Sequence, residues 1–301
     1  MLTIVTGATG GLGYETALGL ATAGHEVIVA ARNPAKGADA VARLRAAVPA
    51  AQVEFAPLDL ASLASVEAFA AAVPGPVGLL VNNAGVMAPD RRQVTPDGFE
   101  LQMGTNYFGH YALTARLLPR LIEGQARVVQ VSSLAHRSAR IAFDDLQGAR
   151  RYRPWVQYGQ SKLAMLMLAL ELDRRARAAH WPILSMAAHP GWAVTDIIAN
   201  GPGGGSGTGL RERAMQGAFR LFGQSAAAGA RPILHAGLAI NMRGGTYWGP
   251  TGIGEIRGAP GPARIMPQAS DTVTGARLWD VSAELVGAQF YLDRLTPSSR
   301  A

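Results

Sequence analysis

Lysine is almost absent from this chain. Of 28 Lys and Arg, only Lys36 and Lys162 are lysine, which leaves 26 arginines. Lys162 ends the run Tyr158-Gly159-Gln160-Ser161-Lys162. On a helix, positions i and i+4 share a face, so the ammonium would lie beside the phenol and favour its ionised form. A tyrosine that exchanges its proton near neutrality is an acid/base catalyst, and a compact ammonium suits that task better than a planar guanidinium. Taken alone, the pair also fits two ordinary surface side chains.

A second cluster opens the chain. Thr6-Gly7-Ala8-Thr9-Gly10-Gly11-Leu12-Gly13 follows a short apolar run and precedes a helical pattern. Glycines there permit a tight turn and close approach of backbone to a pyrophosphate, whose charge the helix N-terminus meets. The spacing is GxxxGxG, and a tight strand–helix turn without ligand has the same composition. At the end of the second apolar run stands Arg32-Asn33-Pro34-Ala35-Lys36, with no carboxylate before Asp39. A carboxylate there would hold ribose hydroxyls, whereas an arginine accommodates a 2′-phosphate. The expectation is NADP(H) over NAD(H), with two solvated surface cations as the alternative.

The elements that must position these residues alternate. Strands are predicted at Leu2–Thr6, Glu26–Ala31, Gln52–Ala56, Gly78–Asn82, Arg127–Ser132 and Ile183–Ala187, with a weaker one at Gly245–Trp248. Helices are predicted at Gly11–Ala23, Ala35–Val48, Ser62–Ala72, Pro96–Leu118 and Pro154–Ala179. This alternation implies right-handed βαβ units: an α/β, doubly wound parallel sheet of Rossmann type, helices on both faces, in a single domain. Gly24 is expected in a left-handed cap. Thr95-Pro96-Asp97 is expected to start the fourth helix. Residues 163–172 are apolar nearly all round and should be buried on more than one side, against a partner copy or under the chain after Gly249. The glycine-rich 201–209 segment suggests a mobile substrate lid over 190–225, with a C-terminal extension over 250–301.

Composition sets outer bounds. At 301 residues, 49% hydrophobic and 16% charged, the chain is globular. It has no cysteine, which excludes disulfides, thiolate zinc sites and cysteine nucleophiles. No apolar run reaches the ~18 residues of a membrane span. A soluble, cytoplasmic protein without a membrane anchor is therefore expected. The net charge of +7 is spread over scattered arginines, which suits solvated surface and an anionic ligand rather than nucleic acid. His110, His136 and His189 have no metal-ligand spacing, and Ser206 does not sit in a nucleophile-elbow motif. His189, before Pro190, is expected on the pocket wall.

Taken together, these motifs resemble a classical short-chain dehydrogenase/reductase over most of the chain. The resemblance rests on TGATGGLG at 6–13, Asp59 in Leu58-Asp59-Leu60, Asn82-Asn83-Ala84-Gly85, Asn106, Ser133, Tyr158, Lys162, and Pro190-Gly191 with Thr195. The run Val131-Ser132-Ser133-Leu134-Ala135-His136 resembles the retinol-dehydrogenase-like members, as does the long separation of Ser133 from Tyr158, 25 positions (158 − 133).

The resemblance implies a catalytic tetrad of Asn106, Ser133, Tyr158 and Lys162. It implies cofactor contacts from Gly7, Thr9, Gly11, Leu12, Gly13, Arg32, Asn33, Lys36, Asp59, Leu60, Asn83, Ala84, Gly85, Tyr158, Lys162, Pro190, Gly191 and Thr195. Tyr158 would protonate the carbonyl as NADPH delivers hydride. Lys162 would assist Tyr158 and bind ribose, Ser133 would hold the substrate oxygen, and Asn106 would hold a relay water. Met87, Phe143, Tyr152, Trp155, Trp192, Ile197, Ile198, Phe219 and Phe222 are expected to divide between core and a cleft for an apolar carbonyl or alcohol substrate. A helix-on-helix homodimer is left open. The competing functional readings are a non-catalytic NADP(H) sensor on the same fold and a basic nucleic-acid-binding protein.

Overall fold

Hydrophobic runs too apolar to tolerate a wet face build the centre of the molecule. In the computed structural model, which describes residues 1–193 and 223–290, they form an eight-stranded sheet of order β3-β2-β1-β4-β5-β6-β7-β8. The strands are β1 (Leu2–Thr6), β2 (Glu26–Ala31), β3 (Val53–Pro57), β4 (Leu79–Asn82), β5 (Arg127–Val131), β6 (Leu184–Ala188), β7 (Tyr247–Pro250) and β8 (Pro260–Pro262). The first seven run parallel and β8 returns antiparallel. β1, β4 and β5 are buried on both faces, as a sheet with two helical layers requires.

Two cores lie on opposite faces of the sheet. One joins the sheet to α1 (Gly11–Thr22), α2 (Pro34–Ala47) and α6 (Ala226–Leu238), through Leu20, Leu44 and Ile233 among others. The other joins it to α3 (Leu63–Ala72), α4 (Gly109–Glu123), α5 (Pro154–Ala178) and α7 (Thr272–Val286), around Tyr107, Phe108 and Tyr111. The sheet order reverses between β1 and β4, so the loops after these strands part and leave a crevice at their carboxyl ends.

The fourth helix differs from its expected form. Thr95 caps no helix: the chain turns tightly, Gly98 N donating to Thr95 O at 2.9 Å, and residues Val94 and Glu100 bridge antiparallel. The Asp97 carboxylate does meet a helix N-terminus, but that of α3, accepting from Leu63 N at 2.8 Å. The helical path begins at residue 101, widens into a π-turn over Met103–Phe108, and continues through Pro119 to Glu123. Gly24 takes the left-handed conformation expected of it, with φ +81°.

The apolar stretch 163–172 is sheathed on its second side by α7. Trp279 of that helix packs edge-on against Tyr111 at 5.2 Å, and Leu278 and Trp279 join the core containing Met167 and Leu168. The residues after Gly249 thus cover part of this stretch. The expected hinge at 201–209 and most of the expected lid lie outside the described residues.

Candidate active site

The crevice between the β1 and β4 loops is a cleft of about 1220 Å³. Its floor is the glycine turn. Gly7 has φ +69°, and a Cβ there would stand 2.9 Å from Ala84 Cα. A Cβ on Gly13 would strike the Gly7 carbonyl and stand 2.6 Å from Asn83 Nδ2. Gly7 therefore requires glycine because the β1 and β4 loops touch there, and Gly13 because the start of α1 packs on the Gly7 carbonyl and the Asn83 side chain. Asn83 fixes this contact, donating from Nδ2 to Thr6 O at 2.8 Å, while Asn83 N and Ala84 N donate to Thr6 Oγ1, both at 2.9 Å.

Gly7, Thr9, Gly11, Leu12, Gly13, Arg32, Asn33, Lys36, Asp59, Leu60, Asn83, Ala84 and Gly85 all line this cleft. Arg32 and Lys36 are exposed at its β2 end. Asn33 caps α2, its Oδ1 accepting from Lys36 N at 3.0 Å. Asp59 Oδ1 accepts from Ala61 N at 3.0 Å. Arg43 was not legible from any motif. It pairs with Asp39 at 2.8 Å, donates to Thr9 O at 2.9 Å and stacks over Tyr14 at 4.3 Å. It ties the glycine turn to α2 and pairs with the first carboxylate after β2, which itself stays exposed at the cleft's β2 end beside Arg32 and Lys36.

Beyond Gly85, the loops after β4 and β5 and the start of α5 converge. Tyr158 and Ser133 are neighbours here, the Ser133 hydroxyl favouring ionisation of the phenol. The Lys162 ammonium stands 5.9 Å from the Tyr158 ring centre and donates to Val131 O at 3.0 Å. Ser132 donates to the Lys162 carbonyl at 2.8 Å, tying the end of β5 to α5 as its place in the strand suggested. A Cβ on Gly85 would lie 3.1 Å from Asn106 Oδ1 and 3.5 Å from Lys162 Nζ, so that glycine brings all three groups together.

Asn106 rides on the π-turn, a distortion frequent at functional positions. Its Oδ1 accepts from Val86 N at 2.7 Å, and its Nδ2 donates to Val86 O and Ser161 Oγ, each at 2.9 Å. The side chain is spent on holding the β4 loop, and the Asn106 carbonyl accepts from His110 Nδ1 at 2.8 Å. Burial drives the His110 pKa down to about 3. The ring is therefore neutral, with Nδ1 protonated and Nε2 accepting from the Thr6 hydroxyl at 2.9 Å.

The electrostatics correct one expectation. The Tyr158 phenol is not brought near neutrality: burial pushes that group up to about 12, and the Ser133 hydroxyl offsets only part of the rise. Burial also lowers Lys162 to about 8. Desolvation disfavours the charged form of both groups, yet at neutral pH Lys162 still keeps its proton. At neutral pH Tyr158 carries its proton.

The expected aromatic wall is only partly assembled. Met87 lines the cleft, and Trp155 stands edge-on to Tyr158 with ring centres 6.0 Å apart. Phe143 instead lies under Arg277 at 4.0 Å. Tyr152 braces the β4 loop, donating to Pro89 O at 2.9 Å. His189 is no pocket wall: it is wholly buried and hydrogen-bonded to Glu255. Pro190, Gly191 and Trp192 follow β6, whereas Thr195, Ile197, Ile198, Phe219 and Phe222 lie outside the described residues.

Residues 2–201 match the family profile described as short chain dehydrogenase. The chain belongs to the short-chain dehydrogenase family. It is 36% identical to retinol dehydrogenase 12 of Mus musculus over 293 residues, covering 95% of this chain and 86% of the relative. It is 38% identical to polyprenol dehydrogenase of Mus musculus, covering 95% of this chain and 83% of that protein. Among solved structures, an uncharacterised protein from Mycobacterium paratuberculosis superposes with a TM-score of 0.78 at 39% identity, covering 97% of this chain and 95% of the other. This short-chain dehydrogenase falls in the retinol-dehydrogenase-like subgroup. It is an oxidoreductase acting on CH–OH groups with a nicotinamide cofactor. Among the described residues, no helix is long and apolar enough to cross a membrane.

Proposed function

We propose that this short-chain dehydrogenase interconverts an apolar ketone or aldehyde and its alcohol, using NADP(H), with reduction as the direction for which the resting site is set. The observation that carries the reading is the cluster of Tyr158 beside Ser133 with the Lys162 ammonium 5.9 Å from the Tyr158 ring, one helical turn on. Ser133 orients the substrate oxygen, Tyr158 gives it a proton, and Lys162 stabilises the phenolate that remains. When bound, the cofactor supplies the hydride. The glycine turn fits its pyrophosphate, because Gly7, Gly10, Gly11 and Gly13 line the cleft and the turn leads directly into the N-terminus of α1.

The choice of NADP(H) is supported by the exposed Arg32 and Lys36 at the β2 end of the cleft, with Asp39 engaged by Arg43. Arg32→Ala is expected to weaken NADPH binding roughly 10- to 100-fold, the range of a lost charge-assisted hydrogen bond, with NADH binding unchanged. Titration of both dinucleotides tests this, and equal loss for both would refute it. An apolar substrate is supported by Met87 and Trp155 beside the reacting groups, and by relatives named for retinol and polyprenol, both apolar alcohols. Retention of Ser133, Tyr158 and Lys162 in one cluster weighs against a non-catalytic sensor. Oxidation of NADPH followed at 340 nm across apolar aldehydes and ketones tests the whole reading. No turnover with any of them, NADPH being bound, would contradict it.

A further inference from the structure

The loop joining β7 to β8 sends one carboxylate back towards the active site. Glu255 sits at φ +59°, in the left-handed region, directly after Gly254 at φ +64°. That backbone is costly for a glutamate and persists only where its surroundings hold it. The surroundings are explicit. Glu255 Oε2 accepts from His189 Nε2 at 2.9 Å and from Arg137 Nη2 at 2.7 Å, and Oε1 accepts from Arg264 N at 3.1 Å.

Each partner leads to one wall of the site. His189 follows β6 immediately before Pro190-Gly191, and its Nδ1 accepts from Gly191 N at 3.1 Å. With Nδ1 accepting, Nε2 must carry the proton it donates to Glu255, so the hydrogen bonds define a neutral imidazole of one tautomer. Gly191 lies at φ +64°, with the Ile256 carbonyl where a side chain would be, and Trp192 N donates to that carbonyl at 2.8 Å. Arg137 belongs to the short 3₁₀ helix Leu134–Ser138 that begins directly after Ser133, and its Nη1 donates to Gly254 O at 3.1 Å. Between the two arms stands Tyr247, edge-on to His136 at 5.4 Å and tilted against His189 at 5.1 Å. His136 in turn donates from Nδ1 to Ser133 O at 2.6 Å.

We infer that Glu255 is a positioning residue, a strut that fixes the segment holding the substrate oxygen, at Ser133, relative to the segment that borders the nicotinamide, at Pro190-Gly191. The inference rests on the proposed NADP(H)-dependent reduction. Hydride transfer needs donor carbon and carbonyl carbon in one geometry, and those two segments set the two ends of that distance. Glu255 touches neither reacting group. It joins both segments through one carboxylate oxygen, from an element more than sixty residues beyond β6 in the sequence. The adenosine half of the cleft, at Arg32 and Asp59, is built without it.

This division gives the test. Binding of 2′,5′-ADP reports the adenosine half, and the change in NADPH emission on binding reports the nicotinamide end. In Glu255→Ala, 2′,5′-ADP should bind as in wild type while the emission change is lost. Its kcat for carbonyl reduction should fall about tenfold or more, with the carbonyl KM little altered. Glu255→Gln keeps the size and one acceptor for His189, and should recover part of the emission change and of kcat. Arg137→Gln cuts the other arm and should lower kcat without altering 2′,5′-ADP binding.

Wild-type emission and kcat in Glu255→Ala would overturn the inference. So would a joint loss of 2′,5′-ADP binding and emission in Glu255→Gln, which would mark Glu255 as support for the fold at large. A wild-type protein that binds neither 2′,5′-ADP nor NADPH would defeat the functional reading itself, and this inference with it. Normal wild-type responses with unaltered variants would defeat the inference alone.

Discussion

Tyr158→Phe is expected to lower carbonyl reduction about 10³-fold, inside the ~10²–10⁴ range for removal of a positioned proton donor, while NADPH affinity stays at its wild-type value. The substitution deletes one oxygen at a half-buried position, and the ring keeps its edge contact with Trp155. Ser133 does not replace it: its hydroxyl is the neighbouring one, and a serine hydroxyl is far too weak an acid to complete the transfer. Because burial places the phenol at about 12, reduction by wild type should be unaffected by loss of the Tyr158 proton across neutral pH. Steady-state rates for both proteins, with NADPH binding measured separately, check this. A variant retaining a tenth or more of the wild-type rate would remove Tyr158 from the mechanism.

Lys162→Met should show opposite effects on activity and stability. Turnover should fall by ~10²-fold or more, because the phenolate left on Tyr158 loses its only adjacent cation among the described residues. Stability of the nucleotide-free protein at pH 7 should rise. Burial lowers Lys162 from 10.5 to about 8, so at pH 7 the folded chain carries a charge that the unfolded chain bears more easily, a cost of about 3 kcal/mol. The sign follows from proton counts. Between pH 8 and 10.5 the unfolded chain keeps a proton that the folded chain has lost, so this group makes stability increase with pH across that window. Above pH 10 the raised Tyr158 acts in the opposite sense, which confines the test to pH 7–10. The methionine variant loses the Val131 hydrogen bond, which offsets part of the gain, and a net rise of ~2 kcal/mol is expected. Thermal melts of both proteins at pH 7 and pH 9.5 decide the matter. The gap between them should shrink at the higher pH, and a variant less stable at pH 7 would contradict the argument.

Both effects depend on burial, the feature that the sequence conveys least. The spacing of Tyr158 and Lys162 is a local helical property, and so is the glycine turn between β1 and α1; both could be read from residues a few positions apart. The parallel strands were equally legible, because strands buried on both faces are continuous apolar runs, whereas the short antiparallel β8 was not expected. What escaped depends on contacts between distant segments. Pro96 suggested a helix start, yet Asp97 is recruited to cap α3, 34 positions away, and the chain turns instead. The expected end at Leu118 falls short: the helix tolerates Pro119 and runs to Glu123. The rise of Tyr158 comes from its desolvation, which no spacing rule reports.

Missed elements did carry local signals. Asp271 caps α7, accepting from Val273 N and Thr274 N, and Gly287 ends it at φ +59°. That cap and glycine stood in the sequence at the right separation for a helix. α6 was harder, since Gly229, Pro232 and Gly237 lie inside it. Arg43 and Glu255 follow no motif. They are visible only as partners: Arg43 of the Thr9 carbonyl, Glu255 of His189 and Arg137. A charged side chain that organises a site from outside the motifs is recognised once the chain has folded round it.

Isotope transfer tests the central claim most directly. NADPH carrying deuterium at both C4 positions would be incubated with the enzyme and an apolar ketone, and the alcohol analysed by mass spectrometry and NMR. One deuterium on the carbinol carbon, with the hydroxyl proton drawn from solvent, is the predicted result. An alcohol free of deuterium at that carbon, or label passing to some other atom, would contradict hydride delivery to a carbonyl that Tyr158 protonates.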